Sequence, residues 1–162
     1  MIRDEEIQRL IRYAQGMGLS VRFKPYVKYS KDQAEWALDG SEITVFVKST
    51  TSKIEKVLSL IHELGHQKGF IDNGRKTDPK IEEAIDSEET RHRKRVLESE
   101  RNDMVYWEDI YKDTNCKFDL KILEKQKELD IWSYEVYYKT GKWPATKAKV
   151  QKIKELRRKY NG

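Results

Sequence analysis

His62 and His66 stand four positions apart in the run Leu58-Ser59-Leu60-Ile61-His62-Glu63-Leu64-Gly65-His66. In a helix, with about 3.6 residues per turn, both imidazoles point the same way, which is what two nitrogen donors need to hold one zinc ion. Glu63 follows the first histidine directly and lies beside the imidazole pair. Zinc lowers the pKa of a bound water toward neutrality. Glu63 can then act as general base on that zinc-bound water and later return a proton to a leaving amine. Hydrolysis of a peptide bond is the chemistry this combination serves. The chain has three histidines, two of them here. No CxxC pair, phosphate loop or serine-nucleophile motif accompanies them. The bland alternative is an HExxH sequence on an ordinary solvated helix, so the surrounding elements matter.

Those elements are legible in the spacing of apolar residues. Ile7, Leu10, Ile11 and Ala14 mark one face of a first helix over residues 4–15, with Gly16 and Gly18 to end it. Leu19, Val21 and Phe23 alternate with polar residues up to Pro25, as in a half-buried strand. Ala34, Trp36 and Leu38 alternate again, Asp39-Gly40 is a hairpin turn signal, and residues 43–47 follow as a β-branched strand. Ser52 and Glu55 have the spacing of a capping box. After them Ile54, Val57, Leu58, Ile61 and Leu64 form an apolar stripe, which predicts a helix to about Lys68 with Gly69 as its C-cap. Leu60-Ile61 places the motif on a buried side, and Gly65 leaves room for a close neighbour. Residues 72–79 hold Asn73-Gly74 and Asp78-Pro79 and predict a loop. Charged helices are expected over residues 80–112, 120–138 and 146–160, with Gly141 and Pro144 breaking the chain between the last two.

The run from Leu58 to His66 closely resembles the active-site helix of the ImmA/IrrE-like metallopeptidases, related to small phage-encoded zincins, and the hairpin from Trp36 to Val47 resembles the strand pair ahead of it. The resemblance covers roughly residues 2–111. It implies a compact fold with a small sheet beside the active helix, a phage or mobile-element origin, and a third zinc ligand that is a glutamate on a later helix. Some members of that family cleave transcriptional repressors, a substrate that does not transfer on resemblance.

Three residues compete for the third ligand. Glu100 shares an apolar helical face with Leu97, Met104, Trp107 and Tyr111. A carboxylate on such a face needs a partner, and zinc would serve. Glu98 has Asn102 four residues on, as in the resembled family, but sits on a more polar face; Arg101 and Asp103 depart from the family pattern. Asp72 follows His66 at the metzincin spacing, with Gly69 at the turn, yet the only later methionine, Met104, lies inside a predicted helix. Glu100 is the preferred ligand. Tyr106, Tyr111 and His92 are candidates by position for a donor to the oxyanion of the transition state.

The 162 residues suit one compact domain with room for a tail, and 38% of them are charged. No apolar run reaches membrane-spanning length, and the charged start lacks the apolar stretch of a signal peptide. Cys116 is the only cysteine, so no intrachain disulfide can form and a cytoplasmic location is expected. The net charge of +5 is mild. The basic run of residues 91–95, and Lys147, Lys149, Lys152, Lys154, Arg157, Arg158 and Lys159 near the end, could track phosphates, with Tyr134, Tyr137, Tyr138 and Trp143 as stacking platforms. A solvated helix face and a helical core are the plainer readings.

The expected fold is α+β: a small antiparallel sheet packed on the HExxH helix, with a largely helical C-terminal half. Residues 1–113 would form a zincin-like metallopeptidase core, and 114–162 a helical extension on or beside it. The expected function is a cytoplasmic zinc metallopeptidase of gluzincin type acting on a protein or peptide substrate. Zinc would be held by His62, His66 and Glu100, with Glu63 as the catalytic base and the substrate strand adding to the edge of residues 43–47. The alternative is a nucleic-acid-associated protein, bound through the basic C-terminal helix, whose zinc site is structural or vestigial. Either way about one zinc per chain is expected, and a His62→Ala, His66→Ala double variant should lose it. Elemental analysis showing unchanged zinc in that variant would remove the basis for both functions.

Overall fold

The computed structural model describes residues 4–27, 34–77 and 90–161. Helix α1 (Asp4–Gly16) buries Ile7, Leu10 and Ala14, the face its spacing predicts. Strands β1 (Ser20–Pro25), β2 (Ala34–Trp36) and β3 (Glu42–Val47) form one sheet in the order β1-β3-β2. Helix α2 (Lys53–Asp72) carries the HExxH run and packs against α1, β2 and β3. The later helices are α3 (Thr90–Met104), α4 (Trp107–Asp113), α5 (Leu120–Thr140) and α6 (Thr146–Asn161). The predicted α+β class holds. Residues 80–89 of the long charged helix, and the Asp78-Pro79 part of the predicted loop, lie outside the described residues.

The sheet is mixed. β2 and β3 form the predicted antiparallel hairpin, pairing Ala34 with Val45 and Trp36 with Ile43. Its turn has Gly40 at φ 70°, and the Asp39 carboxylate accepts from the Ser41 N–H at 3.0 Å. β1 joins the other edge of β3 in parallel, from Ser20 opposite Glu42 to Pro25 opposite Val47. β3, whose Ile43 and Val45 are buried, is therefore the central strand. β1 pairs along all of β3 and β2 along residues 43–45, so at those three residues no edge is free for the expected substrate strand. Among the described residues β2 is the edge strand on the α2 side.

α2 begins with the predicted capping box: Ser52 Oγ accepts from the Glu55 N–H at 3.2 Å, and the Glu55 carboxylate accepts from the Ser52 N–H at 2.6 Å. It then runs four residues past the expected end at Lys68 and is capped by Asn73. Gly69 is an interior residue of this helix, not its C-cap.

The chain divides into two compact units. One comprises Met1–Thr77 and Asp103–Phe118 and holds α1, the sheet, α2 and α4. Gln67, fully buried, ties its parts together. Its Oε1 accepts from Trp36 Nε1 at 2.9 Å, and its Nε2 donates to the carbonyls of Met17 at 3.1 Å and Gly40 at 3.4 Å. Arg9 of α1 donates to the Thr114 carbonyl at 2.8 Å, just past α4.

The other unit comprises Asp78–Asn102 and Asp119–Gly162. α5 starts on an Asp119 cap and ends at Gly141 in the left-handed region, as the breaker predicted. Arg93 Nε donates to the Tyr138 carbonyl at 3.1 Å, and α6 packs on α5 with Leu156 buried. No helix among the described residues is long and apolar enough to cross a membrane.

Gln67→Leu should keep the side chain's bulk but orphan the Trp36 N–H and two carbonyls. Each buried group left unpaired costs about 1–3 kcal/mol. Urea unfolding should show a loss of at least that size; an unchanged midpoint would mean that these bonds add nothing net.

Candidate metal centre

α2 turns His62 and His66 to one side, with ring centroids 5.0 Å apart and planes at 68°. Trp107, almost fully buried at the start of α4, lies under His62 at 5.2 Å between rings. Trp36 of β2 flanks His66 at 6.0 Å. Glu63 is 7% exposed, so the proposed base is largely withdrawn from bulk water.

α3 is one continuous helix through the division between Asn102 and Asp103, so Glu100 stands less than a turn before Asp103. Donor atoms of His62, His66 and Glu100 all lie within 4.8 Å of one another, the one group of three such side chains among the described residues. Asp103, within the same turn, meets His66 of that cluster: its Oδ2 is 2.7 Å from His66 Nδ1. Two imidazoles and one carboxylate form the donor set of many catalytic zinc sites. With Nδ1 of His66 engaged by Asp103, its Nε2 is the nitrogen left for a metal. The residues present therefore fit a zinc ion, and the cluster is consistent with a zincin-like metal site.

The rivals lie elsewhere. Glu98 is exposed and reaches toward Lys94 at 3.9 Å along the solvated side of α3. Asp72 is six residues past His66 on an unbroken helix, about 9 Å along the axis and turned to another face. The metzincin geometry requires the chain to turn at Gly69, and it does not. The Asp72 carboxylate instead accepts a hydrogen bond from Tyr106, whose hydroxyl is pushed up to about 12 by that bond. Tyr111 donates its hydroxyl to the Phe118 carbonyl. His92 is eight residues before Glu100 on α3, about 12 Å along the helix axis. Two of the three candidate oxyanion donors, Tyr106 and Tyr111, thus have their hydroxyls bonded to Asp72 and Phe118.

Asp103 is the participant that the sequence did not disclose. Its signal was weak: a second carboxylate three positions after Glu100, where the resembled pattern offers no guide. The glycines explain how it gets there. A Cβ on Gly65 would lie 2.9 Å from the Asp103 carbonyl oxygen and 3.0 Å from the Trp107 ring. A Cβ on Gly69 would lie 2.2 Å from Asp103 Oδ1. The two glycines cut a notch in α2 into which the end of α3 and the start of α4 settle. The helix breaks at residues 105–106 as it does so, splitting the predicted long helix into α3 and α4.

Lys147, Lys149, Lys154, Arg157 and Arg158 are exposed on α6, while Lys159 and Tyr160 are held by Glu128 of α5. Trp143 is 49% exposed and stacks on Tyr137 at 4.5 Å, with Tyr134 edge-on at 5.1 Å. These aromatics pack on one another more than they line a core.

Compared with protein-family models, curated proteins and solved structures, the chain matches none of them. The zincin-like assignment therefore stands on the site's own geometry.

That geometry separates the carboxylates. Glu100→Ala should weaken zinc binding strongly, while Glu98→Ala and Asp72→Ala should leave it intact. Competition with a chromophoric chelator reads all three; zinc lost from Asp72→Ala but kept by Glu100→Ala would reverse the assignment.

Proposed function

We propose that this chain is a zinc-dependent metallopeptidase of the gluzincin type, with His62, His66 and Glu100 as metal ligands and Glu63 as general base. The observation that carries this reading is the convergence of those three donors on the helix that also holds a buried glutamate beside them. A zinc ion held there would supply Lewis acidity, polarising the scissile carbonyl and lowering the pKa of the attacking water.

The chain's own residues do the rest. Glu63 takes the proton from the water as it attacks and passes it to the amine as the peptide bond breaks, so one carboxylate serves as base and then acid. Its burial at 7% exposure keeps that proton from exchanging freely with solvent. Trp107 and Trp36, packed around the two imidazoles, keep water away from their apolar sides. The substrate strand pairs with β2, the edge whose Trp36 lies beside His66, because β3 lies between β1 and β2. The substrate is an extended segment of a protein in the reducing cytoplasm, where buried Cys116 remains a thiol.

Glu63→Gln keeps the size of the side chain but cannot accept the proton. The variant should fold and bind zinc as the wild type does, with cleavage slowed about 10²–10⁴-fold. A substrate is first identified by comparing the proteomes of cells expressing each form. Identical cleavage products from both would end the peptidase reading and leave a binding role as the better one.

A further inference from the structure

Zinc binding through His66 requires more than its presence at the right spacing. A neutral imidazole carries its proton on Nδ1 or Nε2, and only the other nitrogen can donate to a metal. On a solvated helix the ring would also rotate among rotamers, and each turn away from the site would weaken binding. Something must choose the nitrogen and hold the ring.

Asp103 is placed to do both. Its Oδ2 lies 2.7 Å from His66 Nδ1, with the two side chains 21% and 15% exposed, so the contact is partly screened from water. A carboxylate only accepts, so the hydrogen between them sits on Nδ1 and leaves Nε2 with its lone pair. The rest of the notch holds Asp103 in turn. Its backbone carbonyl lies against Gly65, its Oδ1 against Gly69, and the next residue, Met104, is buried. Trp36 closes in near the ring of His66 at 6.0 Å between centroids. Neither Gly65 nor Gly69 is needed for α2 to be a helix, where each is disfavoured by about 1 kcal/mol relative to alanine. Their presence is explained by what they let approach.

We infer that Asp103 is the positioning residue of the metal centre. It fixes His66 as the Nδ1–H tautomer with Nε2 directed at the metal, and the Gly65/Gly69 notch exists to admit it. This rests on the metal reading of the site, but half of it is measurable without metal.

The test uses the full chain and two readouts. In the zinc-free protein, at a pH where the imidazole is neutral, long-range proton–nitrogen NMR reports the His66 tautomer. The wild type should show Nδ1–H, and Asp103→Ala should move the population toward Nε2–H. With zinc alone as the probe, chelator competition should give Asp103→Ala an affinity about 10–100-fold weaker than wild type. Asp103→Asn, whose amide oxygen can still accept from Nδ1–H, should recover most of that loss. A merely structural role for Asp103 would not produce this order. Gly69→Ala is the second route should Asp103→Ala fail to fold. It leaves Asp103 in the chain but forces its Oδ1 away from a new Cβ 2.2 Å distant, and should weaken zinc similarly. If the tautomer is unchanged by Asp103→Ala, or both the Ala and the Gly69→Ala variants hold zinc as tightly as wild type, the inference is overturned. If the tautomer depends on Asp103 while the wild type takes up no zinc, the positioning stands and the peptidase proposal falls.

Discussion

The backbone of Asp103 comes against α2 at a place where a single methyl group would block it. A Cβ on Gly65 would stand 2.9 Å from the Asp103 carbonyl oxygen, closer than such carbons are found. Two interior glycines lower the stability of α2 by roughly 1–2 kcal/mol relative to alanines. Burying the Trp107 ring, at about 150–250 Å² and 25 cal/mol per Å², returns up to about 4–6 kcal/mol. Packing therefore outweighs propensity. The same approach sets Trp107 under His62 and Asp103 on His66.

α3 shows how one helix gives three carboxylates different roles. Glu98, on the solvated face, faces a lysine on its own helix across 3.9 Å. Glu100 is turned about 200° from it and belongs to the cluster that could hold a metal. Asp103 is nearly a turn further on and meets an imidazole, close to where the helix breaks. The break follows from the same docking, because the chain must leave α3 for Trp107 to enter the core. Beyond His66, α2 passes through Gly69 without stopping, and its final residue Asp72 is taken by Tyr106.

The sheet serves the centre indirectly. Buried Gln67, one residue after His66, bonds Trp36 of β2 and the carbonyl of the hairpin's Gly40. The edge strand is thus fastened to the helix that carries the histidines, next to the second of them.

The sequence by itself determined the elements and the face each would bury. The capping box at Ser52 and Glu55, the hairpin turn at Gly40, the α5 break at Gly141 and the stripe containing Val57, Ile61 and Leu64 are all local patterns. Such patterns are legible because residues three or four apart in a helix, or two apart in a strand, report on a single neighbour surface. The pairing of His62 with His66 belongs to this class, and so does the apolar face that singles out Glu100. What only the tertiary structure decided is which distant segments arrive at those faces. The parallel docking of β1 makes β3 central and leaves β1 and β2 as the edge strands among the described residues. The split of α3 from α4 and the reach of Asp103 to His66 go with residues from 34 to 42 positions away settling into the glycine notch. A glycine in a sequence says that space is available; only the folded chain says what fills it.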